Sequence, residues 1–127
     1  MPAVASHRSS IACSSLVLMN GALERIAQAR QRMACEQLAE QSRLLHTATS
    51  MIDELRGGLD LRAGGPLAAN FDDLYDYLTR RLGAADRQSD PRILDEVAGL
   101  LQEVRTAWSL LPPFARAQRE PAPAIKE

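Results

Sequence analysis

The chain has 127 residues, enough for one domain with a single buried core and too few for two. Hydrophobic residues make up 46% of it and aromatic residues only 4%, so the core must consist mainly of Leu, Ala, Val and Ile. This composition indicates helix-on-helix packing and an all-α fold. The net charge is −1 and the basic residues are scattered without a basic patch, which argues against a nucleic-acid partner.

The first predicted helix follows a flexible N-terminal segment, residues 1–9, and serines near residue 10 are possible N-caps. If the two cysteines, Cys13 and Cys35, lie along one helix, they are too far apart to pair; no Cys/His cluster accompanies them, so we expect ordinary thiols in a reducing cytosol. The N-terminal region has no cleavage site of a signal peptide, and no apolar run approaches the length of a membrane span. We therefore expect a cytoplasmic protein without membrane insertion. The apolar face comprises Leu16, Met19, Leu23, Ile26, Ala27 and Ala34.

The second predicted helix starts after a break that we place near residues 35–37, because one helix of about 45 residues would be exceptional in a globular domain. Gly57 and Gly58 should loosen its last turns toward Asp60. A second apolar stripe, formed by Leu44, Met51 and Leu55, lies beside the main face. The main face comprises Leu38, Leu45, Ala48, Ile52, Leu55 and Leu59.

The third helix is predicted from Pro66 to Gln88, because Pro fits the first helical position and two glycines precede it. Tyr75 and Tyr77 are two positions apart, so on a helix they cannot both face the core, and at least one is available to a partner. We expect Tyr75, together with Ala68, to form a second stripe, and Tyr77 to be structural. The main apolar face comprises Leu67, Phe71, Leu74, Leu78 and Leu82.

The fourth helix is predicted to begin at Pro91 behind a cap at Ser89 or Asp90, and to end before a proline-rich tail, residues 112–127, that we expect to be disordered. Trp108 lies in the middle of its apolar face, which favours a core position over an interface anchor. Four helices with short links predict an antiparallel up-down four-helix bundle over residues 10–111. The apolar face comprises Ile93, Leu94, Val97, Leu100, Leu101, Val104, Trp108 and Leu111.

The sequence contains no pattern of catalytic, metal-binding or cofactor-binding residues, so we expect neither an enzyme nor a cofactor. One alternative is a phosphotransfer role for His46, the single histidine within a predicted helix. The residues that follow His46 lack the lysine and glycine usual in such domains. The second stripes on helices two and three leave two interpretations open: they widen the core, or they line a groove for another amphipathic helix.

A specific pattern of residues occurs in helix three, and shorter patterns occur in the other helices. The patterns resemble those of the flagellar secretion chaperone family (FliS type), which holds flagellin in the cytosol. They are Gly64-Gly65-x-x-Ala68-x-Asn70-Phe71-x-x-Leu74-Tyr75-Asp76-Tyr77-Leu78-x-x-Arg81-Leu82, Leu18-Met19-Asn20-Gly21-Ala22-Leu23, Ala48-x-x-Met51-Ile52-x-x-Leu55, and Leu100-Leu101 followed by Ala107-Trp108.

The resemblance implies a four-helix bundle that binds the disordered C-terminal segment of flagellin, prevents its premature polymerisation and aids its delivery to the type III export apparatus. The resemblance also implies an export-gate component or a co-chaperone as a further partner. The alternative is a self-associating bundle without a flagellin client, and we expect a monomer or a weak homodimer. The expected partner-binding residues are those of the second stripes, namely Leu44, Met51, Leu55, Ala68 and Tyr75.

Overall fold

The computed structural model describes the backbone of residues 3–110 and the side chains of residues 15–110. It contains four helices, α1 (Ala3–Ala34), α2 (Leu38–Gly57), α3 (Leu61–Gln88) and α4 (Pro91–Leu110), and no strand within this range. The all-α prediction is therefore confirmed. The predicted tail, residues 112–127, lies outside the described residues. None of the four helices, over residues 3–110, has an apolar run long enough to cross a bilayer.

The helices form an antiparallel bundle in which α1 and α3 each pack against both α2 and α4. Arg105 of α4 donates to Asn20 of α1, and Asp95 of α4 accepts from Arg30, so residue numbers fall along α4 as they rise along α1. This order confirms the predicted up-down bundle. We call the end with the α2–α3 connection and the end of α4 the lower end, and the opposite end the upper end.

The break between α1 and α2 falls where the sequence predicts it, although no glycine or proline marks it. Glu36 adopts a left-handed conformation (φ 58°) just after α1. The N–H groups of Glu36 and Gln37 donate to the carbonyls of Met33 (3.1 Å) and Arg32 (2.9 Å), which closes the end of the helix. At its other end, α1 begins at Ala3, so residues 3–9 are helical in the structure where the sequence analysis expected a flexible segment. The sequence from residue 3 to residue 14 has no glycine or proline to stop a helix.

Helix α3 starts five residues earlier than predicted and is kinked at Gly65. The side chain of Asp60 accepts from the N–H of Ala63 (3.0 Å), which caps a first turn over residues 61–64. Gly65 then takes φ 57° and ψ −141°, and regular helix resumes at Pro66. The residue before a proline avoids the helical region, so the kink occurs where the sequence predicted the helix start.

The core runs along the whole bundle and holds the tryptophan that the sequence assigned to it: Trp108 is buried. Phe71 contacts both Tyr75 (centroids 6.0 Å apart) and Trp108 (6.2 Å apart) near the lower end. Four residues predicted to lie on apolar faces are exposed: Ala27, Ala34, Leu38 and Leu67. The large apolar and aromatic side chains that are less than 2% exposed are Met19, Ile26, Ile52, Tyr75, Leu78, Leu82, Leu94, Val97 and Leu101.

Candidate functional site

The structure buries four of the five residues that the sequence assigned to partner binding. Leu44, Leu55, Ala68 and Tyr75 are at most 5% exposed, whereas Met51 is half-buried. The expected exposure of Tyr75 is therefore wrong. Each helix has two neighbours in the bundle, so an apolar stripe wider than one seam is still covered, and these four side chains widen the core. Their part in binding a partner stays a prediction.

The other tyrosine is half-buried and links α3 to α4. The hydroxyl of Tyr77 donates to Glu96 Oε2, and Arg81 Nε donates to Glu96 Oε1 (3.0 Å). The hydrogen bond from Tyr77 is the main cause that lowers the pKa of Glu96; partial burial opposes it and Arg81 adds to it. The same bond raises the pKa of Tyr77. Tyr77 therefore has the structural role that the sequence analysis expected of it.

Met51 is the predicted residue that reaches the surface, and it does so beside a glycine of α1. A Cβ placed on Gly21 would lie 3.0 Å from Sδ and 3.2 Å from Cε of Met51. The absence of a side chain at Gly21 therefore lets the Met51 thioether lie across α1. Methionine is flexible and polarizable, which suits it to contact surfaces that adapt to a bound segment.

A shallow groove of about 690 Å³ extends from Met51 over the outward face of α1 to α4. Val17 is 65% exposed in it, and Leu18 and Leu23 are half-buried. Its polar rim includes the ion pair between Glu24 and Arg25 (3.2 Å) and the bond from Arg105 to Asn20 (2.8 Å). We call this surface the α1 groove; it is lined by Val17, Leu18, Asn20, Gly21, Leu23, Glu24, Arg25, Ala27, Met51, Gln102 and Arg105.

The contribution of α1 to this surface was not predicted from the sequence. The signal was present, because Leu16, Val17 and Leu18 are three consecutive apolar residues, and successive positions on a helix point about 100° apart. All three cannot face one core. Val17 lies opposite the core residue Met19 on the helix and is the one left in solvent.

Ion pairs cross the α2–α3 seam, which lies opposite the α1–α4 seam of the bundle. Arg56 donates to Asp72 (2.6 Å) and to Asp76 (3.1 Å). The hydrogen bond from Arg56 lowers the pKa of Asp72, against a smaller opposing effect of burial. Near the upper end, Gln41 and Ser42 both donate to Asp86 (2.9 Å each).

The described side chains form no arrangement suited to metal binding: over residues 15–110, no three His, Cys, Asp or Glu side chains gather into a possible site. His46 is exposed on α2, and Cys35 is exposed in the α1–α2 turn. The α1 groove, with an apolar floor and a polar rim, has the properties of a surface that binds a protein segment.

Comparisons with known proteins agree on one family. The family described as "Flagellar protein FliS" matches residues 8–113. The flagellar secretion chaperone FliSB of Pseudomonas aeruginosa is 47% identical over 92 residues, which cover 72% of this chain and 73% of that protein. The flagellar secretion chaperones FliS of Vibrio cholerae and Salmonella typhimurium are 34% and 35% identical, over 76% and 80% of this chain and 71% and 76% of those proteins.

Proposed function

Because the chain belongs to the FliS family of flagellar secretion chaperones, we propose that its client is flagellin and that it binds the C-terminal segment of flagellin in the cytoplasm. Binding of this segment prevents premature polymerisation of flagellin and aids its delivery to the flagellar type III export apparatus. A disordered segment that orders on binding needs an apolar surface to offset its loss of entropy, and this requires no nucleotide hydrolysis.

The observation that carries the proposal is the apolar floor of the α1 groove. Val17 is 65% exposed there, next to the half-buried Met51 that crosses Gly21. An amphipathic client helix that places its apolar face on Val17 and Met51 removes both from water. Leu44, Leu55 and Tyr75 support this surface because they belong to the core on which α1 and α2 rest.

The test is calorimetric titration of the full chain with a peptide of the flagellin C-terminal segment. Val17→Asp places a charge on the floor of the α1 groove without touching the core, so we expect at least a tenfold loss of affinity, or about 1.4 kcal/mol. Leu38→Asp is the matched control, because Leu38 is also exposed (59%) but lies at the upper end of the bundle. Equal affinities of the two variants would remove the α1 groove from the binding site.

Self-association through the same groove is the second candidate, and the exposure of Val17 favours it because a second copy would also cover this side chain. Sedimentation at low micromolar concentration separates the two functions. A dimer that persists in the presence of the flagellin peptide supports self-association. A monomer that binds the peptide in a one-to-one complex supports the chaperone function.

A further inference from the structure

The indole N–H of Trp108 is buried at the lower end of the bundle without a hydrogen-bond partner. Trp108 is 6% exposed, and among residues 15–110 no group accepts a hydrogen bond from its Nε1 atom. A buried tryptophan N–H normally has an acceptor, because losing its bond to water without a replacement costs free energy. The indole has one polar hydrogen, so its whole hydrogen-bonding capacity is unused. We therefore look for an acceptor beyond the described residues.

The surroundings of Trp108 that the structure identifies are apolar. Phe71 of α3 stands edge-on to the indole, with ring centroids 6.2 Å apart and an interplanar angle of 66°. Leu101 and Val104, seven and four residues earlier on the same face of α4, are buried in the same core. These side chains offer packing surface to another apolar group but no acceptor oxygen.

The chain that follows Trp108 is apolar and rich in proline. Helix α4 ends at Leu110, which is 79% exposed. Residues 111–114, which we call the proline segment, are Leu111, Pro112, Pro113 and Phe114. Proline has no N–H and disfavours the helical conformation of the residue before it, so this sequence does not continue α4. Consecutive prolines favour the extended polyproline II conformation, whose backbone carbonyls have no partner within the segment.

The proline segment is close enough to Trp108 along the chain to reach its indole. Leu110 lies two residues after Trp108, about 3 Å along the helix axis. The three further residues to Pro113 span about 9 Å in the polyproline II conformation. A chain that reverses direction after Leu110 therefore brings carbonyl groups of the segment back to the level of Trp108.

Trp108 and Phe71 have the chemistry that binds an extended proline segment. Proline-rich chains dock against aromatic side chains, and their pre-formed polyproline II conformation lowers the entropy lost on docking. Trp108 offers an apolar ring together with one N–H donor, and Phe71 adds a second ring beside it. Leu110, exposed where the segment begins, is a further apolar side chain that the docked segment can cover.

We propose that the lower end of the bundle is a docking site for this chain's own proline segment, in which a backbone carbonyl of residues 111–113 accepts the Trp108 N–H. The two proline rings lie against the indole and shield Leu110 from water. The segment is tethered at its site, so its effective concentration there is high and a small contact is sufficient. The first residues of the tail, for which the sequence predicts disorder, are thereby fixed. The proposal does not rest on the identity of the client.

Nuclear magnetic resonance of the full chain tests the proposal, because its one tryptophan gives a single indole N–H signal. We expect nuclear Overhauser contacts between the indole protons and the Cδ protons of Pro112 or Pro113. In Pro112→Ala/Pro113→Ala, alanine lets α4 continue and engages these carbonyls in the helix. The indole N–H signal should then move upfield and exchange with water at least tenfold faster. Absence of the proline contacts in the unmodified chain would overturn the proposal.

The matched control is Pro121→Ala/Pro123→Ala, which makes the same two substitutions outside the proline segment. It should leave the position and the exchange rate of the indole N–H signal unchanged. Equal changes in the two double variants would mean that the proline content of the tail as a whole, and not the segment next to α4, acts on Trp108. This result would contradict the proposal.

A double-mutant cycle separates the hydrogen bond from a general loss of stability. Trp108→Phe removes the N–H and keeps an aromatic ring in the core. If a carbonyl of the proline segment accepts this N–H, Pro112→Ala/Pro113→Ala lowers the free energy of unfolding more in the unmodified chain than in the Trp108→Phe variant. Urea denaturation of the four chains measures the difference. Equal losses in both backgrounds would contradict the proposed hydrogen bond.

Three other acceptors for the Trp108 N–H give distinct results, and each contradicts the proposal. If water is the acceptor, the indole N–H shows a cross-peak to water and no contact with proline. If a second copy supplies the carbonyl, the proline contacts disappear on dilution to a monomer. If a client supplies it, the indole N–H signal moves downfield only when the flagellin peptide is added. Proline contacts that persist on dilution and without the peptide support docking within one chain.

Discussion

At the scale of single residues, burial separates the side chains that hold the bundle together from those that a partner can reach. Periodicity placed Tyr75 beside the apolar stripe of α3, where both a core and a surface position were possible. The structure puts it in the core, stacked on Phe71, because α3 has neighbours on two sides. Val17, on α1, is one of the exposed apolar residues that the periodic pattern did not single out.

Tyr75→Ala should therefore destabilise the bundle instead of acting on binding alone. Removing a large buried aromatic ring leaves a cavity, and we expect the free energy of unfolding to fall by about 3–5 kcal/mol. Urea denaturation followed by circular dichroism measures the change. The control is Leu67→Ala, a truncation at a 38% exposed position of the same helix, which should cost under about 1 kcal/mol. Similar losses in both variants would contradict the core assignment of Tyr75.

At the scale of helices, the sequence predicted the boundaries that proline marks and the position of the α1–α2 break, but it missed the first turn of α3. Pro91 begins α4 as expected, and Pro66 begins the regular part of α3. The turn over residues 61–64 was missed, because its cap at Asp60 competes with glycines that favour a loop. The position of the α1–α2 break was predicted from the typical length of helices. The residues around Glu36 do not predict its left-handed backbone conformation.

The kink in α3 leads to a prediction about two glycines that differ only in conformation. Apart from the adjoining residues and backbone of the same helix, no heavy atom lies within 4 Å of a Cβ built on Gly65 or on Gly57. Gly65 has φ 57°, so Gly65→Ala should lower the free energy of unfolding by about 1–2 kcal/mol through backbone strain. Gly57 is in the last turn of α2, and Gly57→Ala should raise it by up to about 1 kcal/mol. Thermal denaturation of both variants gives the two signs; stabilisation by Gly65→Ala would contradict the kink.

At the scale of the whole molecule, the four seams of the bundle are held differently. Ion pairs cross three of them: Arg30 bonds Asp95 between α1 and α4, Arg56 bonds Asp72 between α2 and α3, and Arg81 bonds Glu96 between α3 and α4. Within the described side chains no ion pair crosses from α1 to α2, which pack closely through apolar residues. Stability should therefore depend on pH through the three ionic seams.

The direction of this pH dependence follows from the pKa shifts. Bonding to Arg30, Arg56 and Tyr77 lowers the pKa of Asp95, Asp72 and Glu96, respectively, below their ordinary values. A lowered pKa contributes stability that is present above the unfolded-state pKa, near 4, and is lost as pH falls through the folded-state pKa. The free energy of unfolding should therefore decrease from pH 7 toward pH 3.

Urea denaturation at pH 7 and at about pH 3.5, below the ordinary carboxyl pKa, measures this loss of stability. The double variant Asp72→Asn/Glu96→Gln should lose less stability between the two pH values than the unmodified chain does. Asp53→Asn/Glu103→Gln is the control, because these exposed carboxylates have no ion pair within residues 15–110, and it should follow the unmodified chain. If the control variant reduced the pH dependence of stability as much as Asp72→Asn/Glu96→Gln does, general charge repulsion and not the ion pairs would be its cause.

The sequence by itself determined the helical class, the number of helices, the bundle and the resemblance in α3 to the chaperone family, since all of these depend on local periodicity, proline positions and motifs. Only the tertiary structure decided which apolar residues reach solvent. A helix in a bundle is covered from two directions, and which part of a wide stripe is covered depends on the position of its neighbours. The close approach of α1 and α2 at Gly21 lets Met51 lie across α1 at the surface, whereas α3 has neighbours on two sides and Tyr75 is inside.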